Sequence, residues 1–326
     1  MMMRHFKKYW IPFLAIVLLF VALSACEKDI SIEIPEPEVK LVVDGYIEDG
    51  SIPIVTLTRS SAYFSETTSN ELFNAFVHDA EMSISVDGVS HEMTEICASQ
   101  IPDSLLPLFS ELSGIVITPE SPFDYCIYTV LDFSFAGETG KSYHLKIEAE
   151  GKTLSATTSI PHIVPLDSSW FRVEGTLDSL GFIWARLTDP DTIGNAYRLY
   201  AQRINHYPDG EIKDPVFIAP FNSITDDQFF NGLSFEFSTN RGELPFSTKE
   251  DDSNEEQFLF KVGDTIVLKG SSTDLRTFKF FRSYYSELIN QGSPFASPAS
   301  LQSNVEGGLG IFAGYGVFLD TIVATK

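Results

Sequence analysis

Positive charge is what this sequence has least of. In 326 residues, 22 Lys and Arg stand against 45 Asp and Glu, a formal net charge of −23. Phosphate binding needs clustered cations, so this balance argues against any unassisted grip on nucleic acid. Histidine is also sparse. Only His78, His91, His144, His162 and His206 follow the first 25 residues, and none lies within four residues of another. The close-spaced histidine pairs of helical zinc sites are therefore missing. Cysteine occurs three times, too few for a disulfide scaffold. One long apolar run exists, Trp10 to Leu23, interrupted by Pro12. It falls short of the roughly 20 residues a membrane-spanning helix needs.

The rest of the composition is that of a folded chain. Hydrophobic residues make up 44% and charged residues 21%, with 27 Phe and 12 Tyr, which excludes wholesale disorder. The length accommodates two ordinary domains.

The apolar run belongs to a leader. Arg4, Lys7 and Lys8 precede it, and Leu23-Ser24-Ala25-Cys26 closes it. Charge, apolar core and small residues before a cysteine, in that order, form a bacterial lipobox. Cleavage is expected between Ala25 and Cys26, with acyl chains added to the Cys26 thiol. Residues 1–25 hold three cations and no acid, so the remainder carries 19 cations against 45 acids, a net −26. An anionic chain is repelled by anionic membrane surfaces, which leaves the lipid as the anchor. Residues 26–39, rich in acids and with Pro35 and Pro37, read as an extended tether.

From residue 40 the pattern is mostly period two, the mark of half-buried strands. Strands are expected at Leu41–Ile47, Ile52–Thr58, Met82–Val86 and Tyr143–Ala149, with a return at Leu154–Ile160. Asp87-Gly88 and Glu150-Gly151 are hairpin signals. These features predict a mainly β protein with an Ig-like β-sandwich over 40–163, interrupted by loop insertions at 61–78 and 97–124. Pro161 and Pro165 bracket a linker to a second β-rich domain, 164–326. That domain has strands at Phe182–Ala185 and Tyr197–Tyr200, a turn-rich acidic stretch at 205–256, a hairpin signal at Val262-Gly263-Asp264 and a last strand at Val317–Ala324. Leu275, Phe278, Phe281, Tyr285, Leu288 and Ile289 repeat at helical spacing, which predicts one amphipathic helix over about 274–290. Ser272 or Thr273 would cap its start, and Gly292 follows its end.

No chemical motif survives inspection. His91-Glu92 begins a zinc-hydrolase pattern, but Glu95 stands where the second histidine belongs. Asp252 opens a calcium-loop pattern, but Gln257 replaces its glycine and Gly263 its bidentate Glu. Gly308-Leu-Gly-Ile-Phe-Ala313 fits a dinucleotide fingerprint with no chain left for a βαβ unit. No metal site, cofactor site or catalytic residue is assigned, and the protein is expected not to be an enzyme. The acidic run Glu250, Asp251, Asp252, Glu255 and Glu256 reads as a solvated loop, or else as a loose patch for cations. With Cys26 lipidated, Cys97 and Cys126 are left either to form a disulfide closing a loop of about 30 residues or to stay as two buried thiols. Tyr63, Phe64, Phe73, Phe76, Phe109 and Phe123 lie on the two insertions and are candidate contact aromatics.

Three stretches carry a resemblance: Cys26-Glu-Lys-Asp-Ile30, the segment from Lys40 to Gly50 with Thr56 to Phe64, and Asn304-Val-Glu-Gly-Gly-Leu-Gly-Ile-Phe-Ala-Gly-Tyr-Gly316. Together they resemble the Bacteroidota outer-membrane lipoproteins of the domain of unknown function 4249 family. Within the last stretch, Asn304, Gly307, Gly308, Gly310, Gly314 and Gly316 are the distinctive residues. Their glycines suit a tight turn or bulge beside a core strand, or else close backbone contact with a ligand. The resemblance implies an outer-membrane lipoprotein, facing the cell surface rather than the periplasm, that accompanies a TonB-dependent receptor as a substrate-binding or capping partner. A structural or adhesin-like surface protein is the alternative, and a surface hydrolase with an unrecognised site is the third reading.

Overall fold

The computed structural model describes residues 38–60, 75–132, 134–244, 247, 249–290 and 301–326. Val39–Lys326 form one compact unit, and the protein is mainly β. The leader, Cys26 and most of the tether lie outside the described residues.

The first seven strands are β1 (Leu41–Glu48), β2 (Ile54–Arg59), β3 (Glu81–Val86), β4 (Val89–Cys97), β5 (Cys126–Thr129), β6 (Ser142–Ala149) and β7 (Lys152–Ser159). They alternate as the sequence predicts: in β6, Tyr143, Leu145 and Ile147 are buried and the residues between them exposed. Both hairpin signals hold. Asp87-Gly88 and Glu150-Gly151 all have positive φ and join strands in two-residue register, the arrangement whose twist matches paired strands.

Strand order differs from the Ig-like expectation. In place of two separately bonded sheets, these strands follow one path, β1-β2-β5-β4-β3-β6-β7. The C-terminal segment then closes it. β15 (Val305–Glu306) pairs with β7, and after Gly307-Gly308 the chain continues as β16 (Leu309–Val323), parallel to β1. The sheet curls around a core that includes Val43, Leu57, Ile84, Tyr143, Leu145, Leu154 and Phe312.

β16 is far longer than the strand expected at 317–324, because the glycine-rich stretch is itself strand. Gly310 has φ +110°, and a Cβ there would overlap the Val43 carbonyl oxygen. Asn304 holds the entry to this strand. Its side chain donates to the Phe312 carbonyl (2.8 Å) and accepts from the Phe312 N–H (2.9 Å), as a neighbouring strand would.

Beyond Pro161 the chain adds β8 (Ser168–Val173), β9 (Leu180–Thr188), β10 (Ala196–Arg203), β11 (Ile224–Asp226), β12 (Ser234–Thr239), β13 (Phe260–Lys261) and β14 (Thr265–Thr273). β10, β11 and β14 extend the large sheet on the far side of β16, while β8, β9, β12 and β13 form a second, four-stranded sheet. The segments 40–163 and 164–326 are thus joined through β16. The signal at Val262-Gly263-Asp264 is a turn but not a hairpin. β13 pairs with β9, whereas β14 pairs with β10 and β16, so the turn carries the chain from one sheet to the other. Ile183, Phe260, Ile266, Leu268 and Ile322 pack between the two sheets.

Two α-helices occur among the described residues: α1 (Leu106–Ser113), inside the insertion 97–124, and α2 (Leu275–Asn290). α2 covers the face of the large sheet opposite the small one, with Phe278 and Tyr285 against Ala196 and Ile224, and Phe280 against Ile311 and Tyr315. Its cap is Asp274, whose carboxylate accepts the Thr277 N–H at 2.8 Å. Ser272 and Thr273, the expected caps, are used elsewhere: Ser272 accepts from the Val164 N–H and Thr273 donates to the Gly314 carbonyl. Gly292 lies outside the described residues.

The acidic stretch 205–256 is more ordered than its composition suggests. It supplies β11, β12 and two buried cation sites. Arg203 is 2% exposed and bonds Asp214 (2.7 and 2.9 Å) and Asp251 (2.6 Å), which also accepts from the Tyr207 hydroxyl (2.8 Å). Arg241, 1% exposed, binds Asp252 at 2.5 Å. Asp251 and Asp252 are therefore counter-ions and not part of a solvated loop. A buried guanidinium is tolerated only when its donors are matched this way.

Burial opposes ionisation of Asp251, but hydrogen bonds from Arg203 and Tyr207 outweigh it and leave the carboxyl below the usual aspartate range. A depressed folded-state pKa means stability that is present at neutral pH and lost as pH falls through it. Asp251→Asn is expected to lower the urea midpoint at pH 7. Its gap to the parent should narrow below pH ~4, where the parent's unfolded-state aspartates begin to bind protons. A gap unchanged at pH 3 contradicts the assignment.

Candidate functional site

The two sheets do not meet everywhere. Beside their shared core they enclose a cavity of about 530 Å³, within the usual range for small-molecule sites, about 300–1,000 Å³. One wall is the inner face of the small sheet. Pairing of Phe235 with Leu187 and of Phe237 with Ala185 puts these side chains on the face that also buries Ile183. The opposite wall is the large sheet at Tyr197, Leu199, Gly270 and Phe318. Gly270 is required there: a Cβ would run into the Phe318 ring. Without it, that ring lies across the strand and forms a flat apolar floor.

Aromatic rings dominate the lining. Phe230 lies 4.3 Å from Phe235 and 6.3 Å from Tyr197, and Phe235 lies 5.7 Å from Phe237, centroid to centroid. Residues 220–225 form the rim. The chain is left-handed at Asn222 (φ +59°), and the Leu199 N–H donates to the Ser223 carbonyl, which ties the rim to β10. The Ser223 hydroxyl is buried in the lining without a hydrogen-bond partner. The Tyr197 hydroxyl is already committed to Asp189 at 2.5 Å. No acid, histidine or cysteine occurs among the lining residues. Arg198 is the charged residue of the lining, and its Nε is buried without a partner. The arrangement can hold an apolar, partly aromatic molecule and offer it a few polar contacts. It offers no acid–base pair.

The aromatics singled out from sequence lie elsewhere. Tyr63, Phe64 and Phe73 fall outside the described residues. Phe76 and Phe109 are core residues and not surface contacts, at 9% and 4% exposure. With the partly buried Phe123 they pack around Tyr125, α1 and Cys97. The insertion 97–124 thus has its own small core under it.

Cys97 and Cys126 face each other across β4 and β5 and are joined as a disulfide, with Cα atoms 4.0 Å apart. His78 and Glu95 lie beside them, all four offering donor atoms within 4.8 Å of one another. Both sulfurs are bonded to each other, and His78 Nδ1 pairs with Glu95 at 2.6 Å, so the cluster is closed by its own members. The glycine-rich stretch also serves the fold. Gly307, Gly308, Gly310, Gly314 and Gly316 each press on neighbouring backbone or core side chains, and none lines the cavity.

A family model described as domain of unknown function (DUF4249) matches residues 27–319. The chain belongs to the DUF4249 family. No curated protein and no solved structure matches this DUF4249 chain. The residues from the tether to most of β16 lie within the match, so both cavity walls do too.

The cavity was missed in the sequence because its aromatics are scattered over 164–326 and its densest part sits in the stretch read as turn-rich. The Phe235-Glu236-Phe237 alternation, with Phe230 five residues earlier, was the available signal. For the disulfide, the 29-residue separation gives the expected effect: reduction, or the double substitution of Cys97 and Cys126 by Ser, should cost about 3–4 kcal/mol. Urea titrations with and without reductant measure it, and an unchanged midpoint contradicts it.

Proposed function

We propose that this protein is a non-enzymatic, lipid-anchored binding module of a bacterial outer membrane. It holds a small, mainly apolar ligand in the cavity and serves a TonB-dependent transporter as a substrate-binding partner. The observation that carries the reading is the aromatic-lined cavity between the two sheets. Burying an apolar ligand there is worth about 25 cal/mol per Å² of surface removed from water, and the rigid strands on both sides keep the ordering cost low.

Two further features support it. The lining contains no acid, histidine, cysteine or lysine, and its charged residue is Arg198; acid–base or nucleophilic catalysis needs such groups paired within hydrogen-bond reach. The leader with its Leu-Ser-Ala-Cys26 closure gives an address at which a captured ligand would be useful to an uptake system.

A neutral apolar fluorophore, N-phenyl-1-naphthylamine, tests the cavity. It is expected to bind saturably to the protein. Leu199→Trp, which fills the space, should weaken binding about tenfold or more, and Phe237→Ala should weaken it by removing one wall, about 1.4 kcal/mol per factor of ten. Fluorescence unaffected by both substitutions removes the cavity from consideration. The anchor is tested by mass spectrometry of protein extracted from its own cells: the first residue is expected to be Cys26 carrying diacylglycerol. Any other start, or an unmodified thiol, overturns the anchoring. Detergent pull-down is expected to recover an outer-membrane receptor, and its consistent absence ends the transporter role.

A further inference from the structure

Where β4 and β5 meet the segment before β3, the fold gathers the metal-ligating groups that the cavity lacks. Glu95 and Cys97 are two apart on β4 and so share a face, and Cys126 stands opposite Cys97 on β5. His78 comes from the segment leading into β3. That segment is fixed in place. The Tyr128 hydroxyl donates to the Val77 carbonyl at 2.8 Å and accepts from the Ala80 N–H at 3.1 Å, and the Asp79 N–H donates to Glu95 Oε2 at 2.9 Å. Four side chains from three segments converge, with one donor atom of each within 4.8 Å of all the others.

A disulfide that served only to staple two strands would not need this company. A disulfide sulfur has no proton to donate, yet Glu95 Oε1 lies 3.6 Å from Cys97 Sγ. The same oxygen is 2.6 Å from His78 Nδ1. A carboxylate gains little beside a neutral sulfur, whereas beside a thiol, or beside a cation held by thiolates, it gains a hydrogen bond or a bond to the ion. Both cysteines are buried, while the His78 side chain is half exposed. The sulfurs therefore lie inward and the imidazole marks the side open to solvent.

Two thiolates, an imidazole and a carboxylate are donors that suit zinc. Bonds of about 2.0–2.3 Å at tetrahedral angles place such donors roughly 3.3–3.8 Å apart. The present upper limit of 4.8 Å is about an ångström beyond that range, within reach of small side-chain rotations. What closes the group to an ion is the bond between its two sulfurs.

We propose that reduction of the Cys97–Cys126 disulfide converts this corner into a tetrahedral zinc site with Cys97, Cys126, His78 and Glu95 as ligands. The disulfide takes two electrons and two protons from a small dithiol, which leaves as its own cyclic disulfide. Zinc then binds both sulfurs as thiolates and releases their two protons to solvent. Reoxidation expels the ion. None of the four residues lines the cavity, and the site does not depend on the reading of the cavity.

Cobalt(II), which takes the same ligands and reports a tetrahedral thiolate site by intense visible and near-ultraviolet absorption, tests it. The full chain in detergent is reduced with dithiothreitol, freed of reductant without air, and titrated. The reduced chain is expected to take up one cobalt ion with those bands, and zinc should displace it; the oxidised chain should show none. His78→Ala and Glu95→Gln keep both thiols and should each weaken binding about tenfold or more, at least the loss seen when a ligand's outer partner is removed. The double variant Cys97→Ser with Cys126→Ser keeps Cys26 and should lose the bands. Zinc should also recover part of the urea midpoint that the parent loses on reduction, and recover less of it in the reduced His78→Ala variant. No tetrahedral bands in the reduced parent, parental affinity in both His78→Ala and Glu95→Gln, bands in the double variant, or a reduced parent whose urea transition zinc does not shift would each overturn the proposal.

Discussion

β16 lies between β1 and β14, hydrogen-bonded to both, and with β15 just before it the C-terminal segment also seals the far edge at β7. It fits only because the segment lacks side chains where neighbours press closest. Gly310 meets the Val43 carbonyl, Gly314 the Ser159 carbonyl and Gly316 the Pro161 carbonyl. Both halves of the large sheet hang on this one segment. The same strand presents Phe318 to the cavity and packs Tyr315 against Phe280 of α2 on the other face.

The buried cations show how an acidic protein keeps such a structure closed. With 45 acids against 22 Lys and Arg, counter-ions for arginine are plentiful. Arg203, on β10, draws in Asp214 from the segment before β11 and Asp251 from the segment between β12 and β13, and Arg241 pairs with Asp252 inside that second segment. A buried pair of this kind contributes little net stability over apolar packing but is severe when half of it is removed. Its effect is to set where an otherwise polar segment lies. Arg198 stands apart from this scheme, being enclosed by rings and not by carboxylates.

Much of the fold was legible in the residues. Alternation located β1, β3, β6 and β7, and the turn residues at 87–88 and 150–151 set their register. The helical repeat located α2 to within a residue. Legibility failed where a choice depended on distant partners. Val262-Gly263-Asp264 reads as a hairpin locally, and only the competition of β9 with β10 and β16 for the flanking strands makes it a crossover. The glycines of 307–316 read as a turn or bulge beside a core strand before they read as a ligand contact, but not as a long strand, because the carbonyls that exclude a Cβ come from distant segments, among them β1 and residues 159–161. Asp251 and Asp252 read as solvated because their guanidinium partners are about 10 to 50 residues away. The cavity escaped for the same reason: its walls come from six separate strands, and no local pattern marks a space between sheets.

The position of β16 also bears on how the molecule is made. A ribosome delivers the chain from residue 1 onward, yet β1 must wait for a partner 267 residues downstream, as the Asp44–Ile311 pairing shows. Until then the early strands form an open ribbon with two bare rims, the feature most prone to sticking to other chains. Closing so large a loop is slow. Vectorial synthesis therefore leaves this chain unable to close its large sheet until the residues of β16 have emerged.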